Sequence, residues 1–256
     1  MANHINLNAD MAESYGAWVM GDDAAMLDIV SSANLACGFH GGDALHISRA
    51  LRLAAQRGVS VGAHPSYADL HGFGRRPMQL SDEELAAILT YQIGALQALA
   101  RVHATSVTHV KPHGALSNLA CADAHTAQVV AKTVAQIDSN LILLAPATSP
   151  LAHAGQAQGL RVALEIYADR NYEPDGQLVS RKKPGAMVGD AAACSAHVLR
   201  MIQAGGIVSL DGQVLATPIH SICVHGDGAH AVETARAVKL ALKQSGYTLS
   251  PLDQLV

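Results

Sequence analysis

Acid–base side chains recur at the ends of short apolar runs along this chain. Asn8-Ala-Asp10 closes the first run, Cys37-Gly-Phe-His40 follows the second, Ala63-His-Pro65 the third and Lys111-Pro-His-Gly114 the fourth. Glu165 and Ala168-Asp-Arg170 close a later one, and Val224-His-Gly-Asp227 the last. If these runs are parallel strands, their C-terminal ends gather the groups into one place. β/α barrels and open α/β sheets build active sites in that way. The pattern therefore points to an enzyme.

Asp10, His40, His64 and His113 follow four different runs. Two or three histidines with a carboxylate can hold zinc or another divalent metal. The same set serves general acid–base catalysis, because histidine titrates near neutrality. Sequence spacing leaves both chemistries open. His64 and His113 stand beside proline and small residues, where a packing role is hard to see.

Lys111 ends an apolar run and is expensive to bury unless paired. It is a candidate to hold a substrate carboxylate or phosphate, to form a Schiff base, or to pair with Asp10 or Glu165. Asp169-Arg170 reads as a structural ion pair or as a bidentate grip on a carboxylate. Arg181-Lys-Lys183 reads as a solvated basic turn or an anion clamp. His225-Gly-Asp-Gly228 opens the last helix, where backbone amides can bind an anion and Asp227 can be the N-cap. Gly72-Phe-Gly-Arg-Arg76 matches no dinucleotide fingerprint, and no Walker sequence occurs.

The elements that must position these residues alternate. Expected strands are Ile5–Leu7, Ser32–Ala36, Val59–Ala63, Thr108–Lys111, Leu141–Leu144, Arg161–Ile166 and Ser221–Val224. Between them lie a short helix opened by Asp22-Asp23, a helix Ala44–Gln56 stopped by Gly58, and a long helix from the capping box Ser81–Glu84 to Arg101. Further helices run from Asp123 to Ile137, Leu151 to Gln158, Asp190 to Gln203 and Gly228 to Gln244. Ile207–Leu210 and Val214–Ala216 read as an inserted hairpin with a tight Asp211-Gly212 turn. Strand–helix alternation argues a parallel sheet. Tyr167–Gly189 lacks a regular pattern, which makes it a candidate active-site lid.

With 256 residues, the chain suits one barrel domain over 1–256, since such barrels run to about 250 residues. Half of it is hydrophobic and its net charge is -4, so no basic surplus exists for a nucleic-acid backbone. No signal core opens the chain. No uninterrupted apolar run reaches the roughly 20 residues of a membrane helix. A cytoplasmic protein without membrane or nucleic-acid partners is expected. The four cysteines lack metal-finger spacing. Cys194 and Cys223 read as buried thiols, and Cys37, at a strand end, as buried or reactive.

Taken in order, these motifs resemble the LamB/YcsF family, associated with the A component of the bacterial ATP-dependent 5-oxoprolinase. The matching segments are Asn6–Asp10, Ser32–His40 with Gly42-Asp43, Gly62–Ser66, Phe73–Arg75, Tyr91–Leu96, His109–Gly114, Ala168–Arg170 with Tyr172, Asp175-Gly176, Leu178–Arg181 and Val224–Gly228. They span nearly the whole chain. The resemblance implies a seven-stranded (β/α) barrel related to polysaccharide deacetylases. It also implies conversion of 5-oxoproline to L-glutamate, coupled to ATP (with Mg2+) in a complex with 5-oxoprolinase subunits B and C. The missing phosphate loop fits ATP being handled by those partners. Two departures stand out: Asp10-Met-Ala-Glu13 lacks the family's usual glycine, and Leu116-Ser-Asn118 lacks its tyrosine.

For ring opening, Asp10 and His64 are expected as the base side and His113 or His40 as the acid or oxyanion partner. Lys111, Glu165, Asp169, Arg170 and His225 are expected to bind substrate. The candidate metal ligands are Asp10, His40, His64 and His113. The rival readings are a metal-dependent deacetylase acting on an N-acyl substrate and a protein that binds substrate for its partners without catalysis.

Overall fold

Apolar residues at alternate positions set the strand faces, and polar ends set where the strands stop. The computed structural model describes residues 3–226, 228 and 230–256. Its first six strands are β1 (Asn3–Met11), β2 (Ser32–Ala36), β3 (Ser60–His64), β4 (Val107–Val110), β5 (Ile142–Pro146) and β6 (Arg161–Tyr167). A separate antiparallel hairpin, β7 (Gly206–Val208) with β8 (Val214–Ala216), precedes β9 (Ser221–Val224). β1 to β6 pair in sequence, β6 pairs with β9, and β9 closes on β1, every pair parallel. The result is a closed seven-stranded barrel.

Period-two alternation divides β1 cleanly. Ile5, Leu7, Ala9 and Met11 join the main apolar core under the helices. Asn6, Asn8 and Asp10 take the other face and bond to polar groups of neighbouring strands. The inner faces of β5 and of β6 before Glu165 are apolar instead. Ile142, Leu144 and Ala163 form a second cluster with Leu252 from a 3₁₀ turn at Leu252–Gln254. Buried polar groups thus run along the barrel interior from Asn6, Ser32 and Ser221 at the strand starts to Asp10 and Lys111 at their ends, with an apolar filling beside β5 and the start of β6.

Helices cover the outside. α1 (Asp23–Leu27) and α2 (Ala44–Arg57) are capped by Asp22 and Asp43, and α2 ends at Gly58 with φ 66°. α3 (Asp82–Val102) starts from the expected Ser81–Glu84 box. α3 is the one helix among the described residues long and apolar enough to cross a membrane. Here Leu85, Leu89, Ile93, Leu96 and Ala100 are the buried stripe of a barrel helix. α4 (Gly114–Ala122), α5 (Ala124–Ile137), α6 (Pro150–Ala157), α7 (Ala191–Ala204) and α8 (Ala231–Gln244) complete the layer.

Several expectations need correcting. β1 runs nine residues rather than three, because its polar inner face is paired inside the barrel. α4 and a short strand β10 (Tyr247–Leu249), parallel to the start of β1, are additions to the expected elements. The hairpin turn is wider than two residues: Ser209 N bonds to Gln213 O, enclosing Asp211 and Gly212. The last helix begins at Ala231, and Asp227, the expected cap, lies outside the described residues. Segment 167–189, expected to lack a regular pattern, is partly paired, and Tyr167 ends β6. Isolated antiparallel bridges, Arg170 to Met187 and Tyr172 to Leu178, fold it back on itself.

Candidate active site

Lys111 is the centre of the polar interior. Its Nζ lies 3.0 Å from Asp10 Oδ1, 3.1 Å from Glu165 Oε2 and 3.0 Å from Cys223 Sγ. Burial alone would strip the charge from Lys111, but Asp10 and the other groups around it outweigh burial and hold its pKa well above the usual value. Burial likewise works against an ionised Asp10, and His64 and Lys111 reverse that, keeping the carboxyl well below its usual range. Asn34 adds a donor to Asp10 Oδ1 at 2.9 Å, and Asn8 donates to Glu165 Oε2 at 3.0 Å. Asp10 is therefore an ionised carboxylate, fixed from behind, at the barrel's C-terminal end.

Beside it, three imidazoles and Glu13 pack together. His64 ends β3, and its Nε2 is 3.4 Å from Asp10 Oδ2. His113 precedes α4, with Nδ1 3.0 Å from His64 Nε2. His40 follows β2, stacks on His113 with centroids 3.8 Å apart, and sets Nε2 3.1 Å from Glu13 Oε1. All four residues are buried. Burial and the neighbouring rings lower the pKa of His40, and that of His113 falls to about 3. One donor atom from each of Glu13, His40, His64 and His113 lies within 4.8 Å of the others, so these four could hold a metal ion. Glu13 stands in this group where the sequence suggested Asp10.

Local backbone explains why these residues meet. Glu13 follows Ala12, whose φ of 58° is the left-handed turn that the missing family glycine would have made. Asp23 steadies it by accepting from Ala12 N at 3.1 Å. Gln92 of α3 bonds both Ser66 N and Ser66 O and so pins the turn after His64. Phe73-Gly74 closes over the imidazoles: Phe73 O is 2.9 Å from His113 Nε2. A Cβ on Gly74 would lie 2.9 Å from both His40 and His113.

Across the barrel end, His225 Nδ1 is 2.8 Å from Asp169 Oδ2, and its ring stacks on Tyr167. Arg170 is buried in the folded-back segment, its Nη2 donating to Val179 O at 2.7 Å. Its Nε and Glu165 Oε1 have no partner among the described residues. Lys183, exposed, pairs with Glu173 at 2.7 Å.

The family resemblance carries Glu13 over as a carboxylate without a role, and motif spacing does not single out Asn8, Asn34 or His109 as site residues. His109 sits four before His113, a spacing that is the one available signal. His109 lies on β4 and His113 at the start of α4, so the two separate, and His109 enters the barrel, 2.9 Å from Asn34 Oδ1, in space left by Gly62. Cys37 is not a reactive thiol: burial pushes it up to about 12 and its Sγ donates to Leu35 O. A cavity of about 820 Å³ lined by Arg57, Lys239 and Tyr247 lies at the opposite end of the strands.

Comparison with known proteins gives the family and the fold. The model of the LamB/YcsF family matches residues 5–256. A Nitrobacter hamburgensis protein, named as the A component of 5-oxoprolinase, is 51% identical over 248 residues, covering 96% of this chain and 97% of that protein. One of the same name from Azoarcus is 52% identical, covering 98% of each. The crystal structure of a lactam utilization protein from Thermus thermophilus superposes with a TM-score of 0.91 at 44% identity, covering 96% of this chain and 99% of that one. A peptidoglycan N-acetylglucosamine deacetylase domain from Eubacterium rectale shares the barrel alone, at TM-score 0.52 and 10% identity.

Proposed function

The chain belongs to the LamB/YcsF family, and from that premise we propose that it opens the ring of 5-oxoproline to give L-glutamate, as the A component of a larger ATP-dependent enzyme. The observation that carries the chemical part is Asp10: an ionised carboxylate locked by Lys111 and set 3.4 Å from His64 Nε2 at the barrel end. The whole chain, 1–256, acts as one barrel domain in this reading.

A lactam resists hydrolysis because its nitrogen donates into the carbonyl. Opening it requires a deprotonated water, a stabilised oxyanion and a proton for the leaving nitrogen. Asp10, oriented by His64, takes the proton of the attacking water. His113 or His40 faces the oxyanion or the nitrogen. Lys111 and Glu165 hold Asp10 in place and close the floor of the site. His225, Asp169 and Arg170, on the other side, meet the substrate's carboxylate and amide. One water adds across the C–N bond, and the nitrogen leaves as the amine of glutamate.

ATP, with Mg2+, would convert the carbonyl oxygen to a phosphate ester and remove the amide resonance; ring opening by the first water would then leave the side-chain carboxyl as an acyl phosphate, and a second water would release inorganic phosphate and glutamate. The phosphorylation belongs to partner subunits B and C, since this chain has no Walker sequence. The need for ATP puts the reaction in the cytoplasm.

The test is glutamate release from 5-oxoproline with ATP, using this chain alone, subunits B and C alone, and all three together. Release only from the full mixture, lost with Asp10→Asn, is expected. Full activity without this chain, or full activity of Asp10→Asn, would overturn the proposal.

A further inference from the structure

Hydrogen-bond bookkeeping around His64 and His113 leaves a gap that only a positive charge fills. His64 Nδ1 lies 2.6 Å from the Lys111 carbonyl oxygen, and His113 Nε2 lies 2.9 Å from that of Phe73. A carbonyl only accepts, so both of these nitrogens carry the ring proton. A neutral imidazole has one N–H, which leaves His64 Nε2 and His113 Nδ1 bare. These two bare nitrogens face each other at 3.0 Å. Two lone pairs repel at that distance. Either a proton or a metal ion lies against them.

The surroundings favour the metal. A shared proton needs two partners, yet four donors converge here. Glu13 Oε1 is 3.8 Å from His113 Nδ1 and 3.1 Å from His40 Nε2. Four-coordinate zinc with bonds of about 2 Å spaces its ligands roughly 3.3 Å apart. The separations of 3.0, 3.1 and 3.8 Å bracket that value. Backbone carbonyls fixing the tautomer from behind are the usual outer support of metal-bound histidine. Asp10 borders this set: Lys111 and Asn34 hold its Oδ1, and its Oδ2 lies 3.4 Å from His64 Nε2.

We propose that His40, His64, His113 and Glu13 form a binding site for one divalent transition metal of the zinc class, beside the carboxylate of Asp10. Three nitrogens and one oxygen suit zinc and its first-row neighbours better than magnesium or calcium, which prefer oxygen. The site deepens the ring-opening reading, since a cation there faces the carbonyl oxygen. Its existence does not depend on that reading.

The test uses the full chain alone, without substrate or partner proteins and without a histidine tag. Elemental analysis, Co2+ titration of the chelator-treated chain and thermal unfolding with and without Zn2+ are the readouts. About one bound equivalent, four-coordinate Co2+ absorption and a Tm raised by Zn2+ are expected. His113→Ala and the near-isosteric Glu13→Gln should weaken Zn2+ binding by about tenfold or more, while His125→Ala, on exposed α5 surface, should not. A folded wild-type chain that binds no metal, or variants that bind it as tightly as wild type, would overturn the site and leave a shared proton. Glutamate release by a metal-free complex would remove the metal while keeping the lactam reading. A metal-loaded chain in an inactive complex would do the reverse.

Discussion

Lys111 Nζ and Asp10 Oδ1 are 3.0 Å apart inside the barrel, both side chains nearly sealed from solvent. The sequence offers this contact as one of several fates for Lys111, and the structure makes it a three-way pairing with Glu165. Removing one partner of a buried pair leaves an uncompensated charge.

Lys111→Met should therefore cost about 3–5 kcal/mol of stability, measured by urea unfolding. Its activity should fall further than instability explains, because Asp10 loses the charge that keeps it ionised. Adding Glu165→Gln should recover part of the stability and none of the activity. Wild-type activity in folded Lys111→Met would sink the assigned role.

His109 predicts an acid effect. Burial, then Lys111 and His64, lower its pKa from the usual 6.5 to about 3. The unfolded chain binds this proton near pH 6.5 and the folded chain does not until near pH 3. Stability from the neutral ring is thus present above 6.5 and lost as pH falls through that window, at up to about 1.4 kcal/mol per pH unit. Unfolding free energies measured between pH 6.5 and 4 should show a shallower slope in His109→Gln. An unchanged slope would mean that His109 titrates normally.

Ala12 occupies a left-handed turn that glycine makes without strain. Ala12→Gly gains strain relief and loses one buried methyl, so its stability should change by less than about 1 kcal/mol. Ala12→Val, branched at the same φ, should lose at least about 2 kcal/mol. Thermal unfolding of both variants checks the pair, and a well-tolerated valine would argue against this turn.

Cys37 should resist alkylation in the native chain at pH 8, since its thiol is buried and pushed up to about 12. Peptide mapping after iodoacetamide treatment should find it unmodified until denaturant is added. Rapid native labelling would restore the reactive-cysteine reading.

The sequence by itself determined the alternating strands and helices, most helix caps and the set of groups at strand ends. Those are local matters: period-two patterning, Ser81 with Glu84, Asp43 before α2, Gly58 after it. It also carried the family resemblance, because ordered motifs such as Lys111-Pro-His-Gly114 survive as linear text. It did not separate the roles within that set. How the two carboxylates meet the imidazoles depends on a left-handed Ala12 turning Glu13 toward His40, and on Lys111 fixing Asp10 Oδ1 while Oδ2 faces His64. His109 and His113, four apart, part company because one lies on a strand and the other at a helix start. The tautomers of His64 and His113 are set by carbonyls of Lys111 and Phe73, contacts that span 47 and 40 residues. Only barrel closure brings such distant groups together, so only the tertiary structure could decide them.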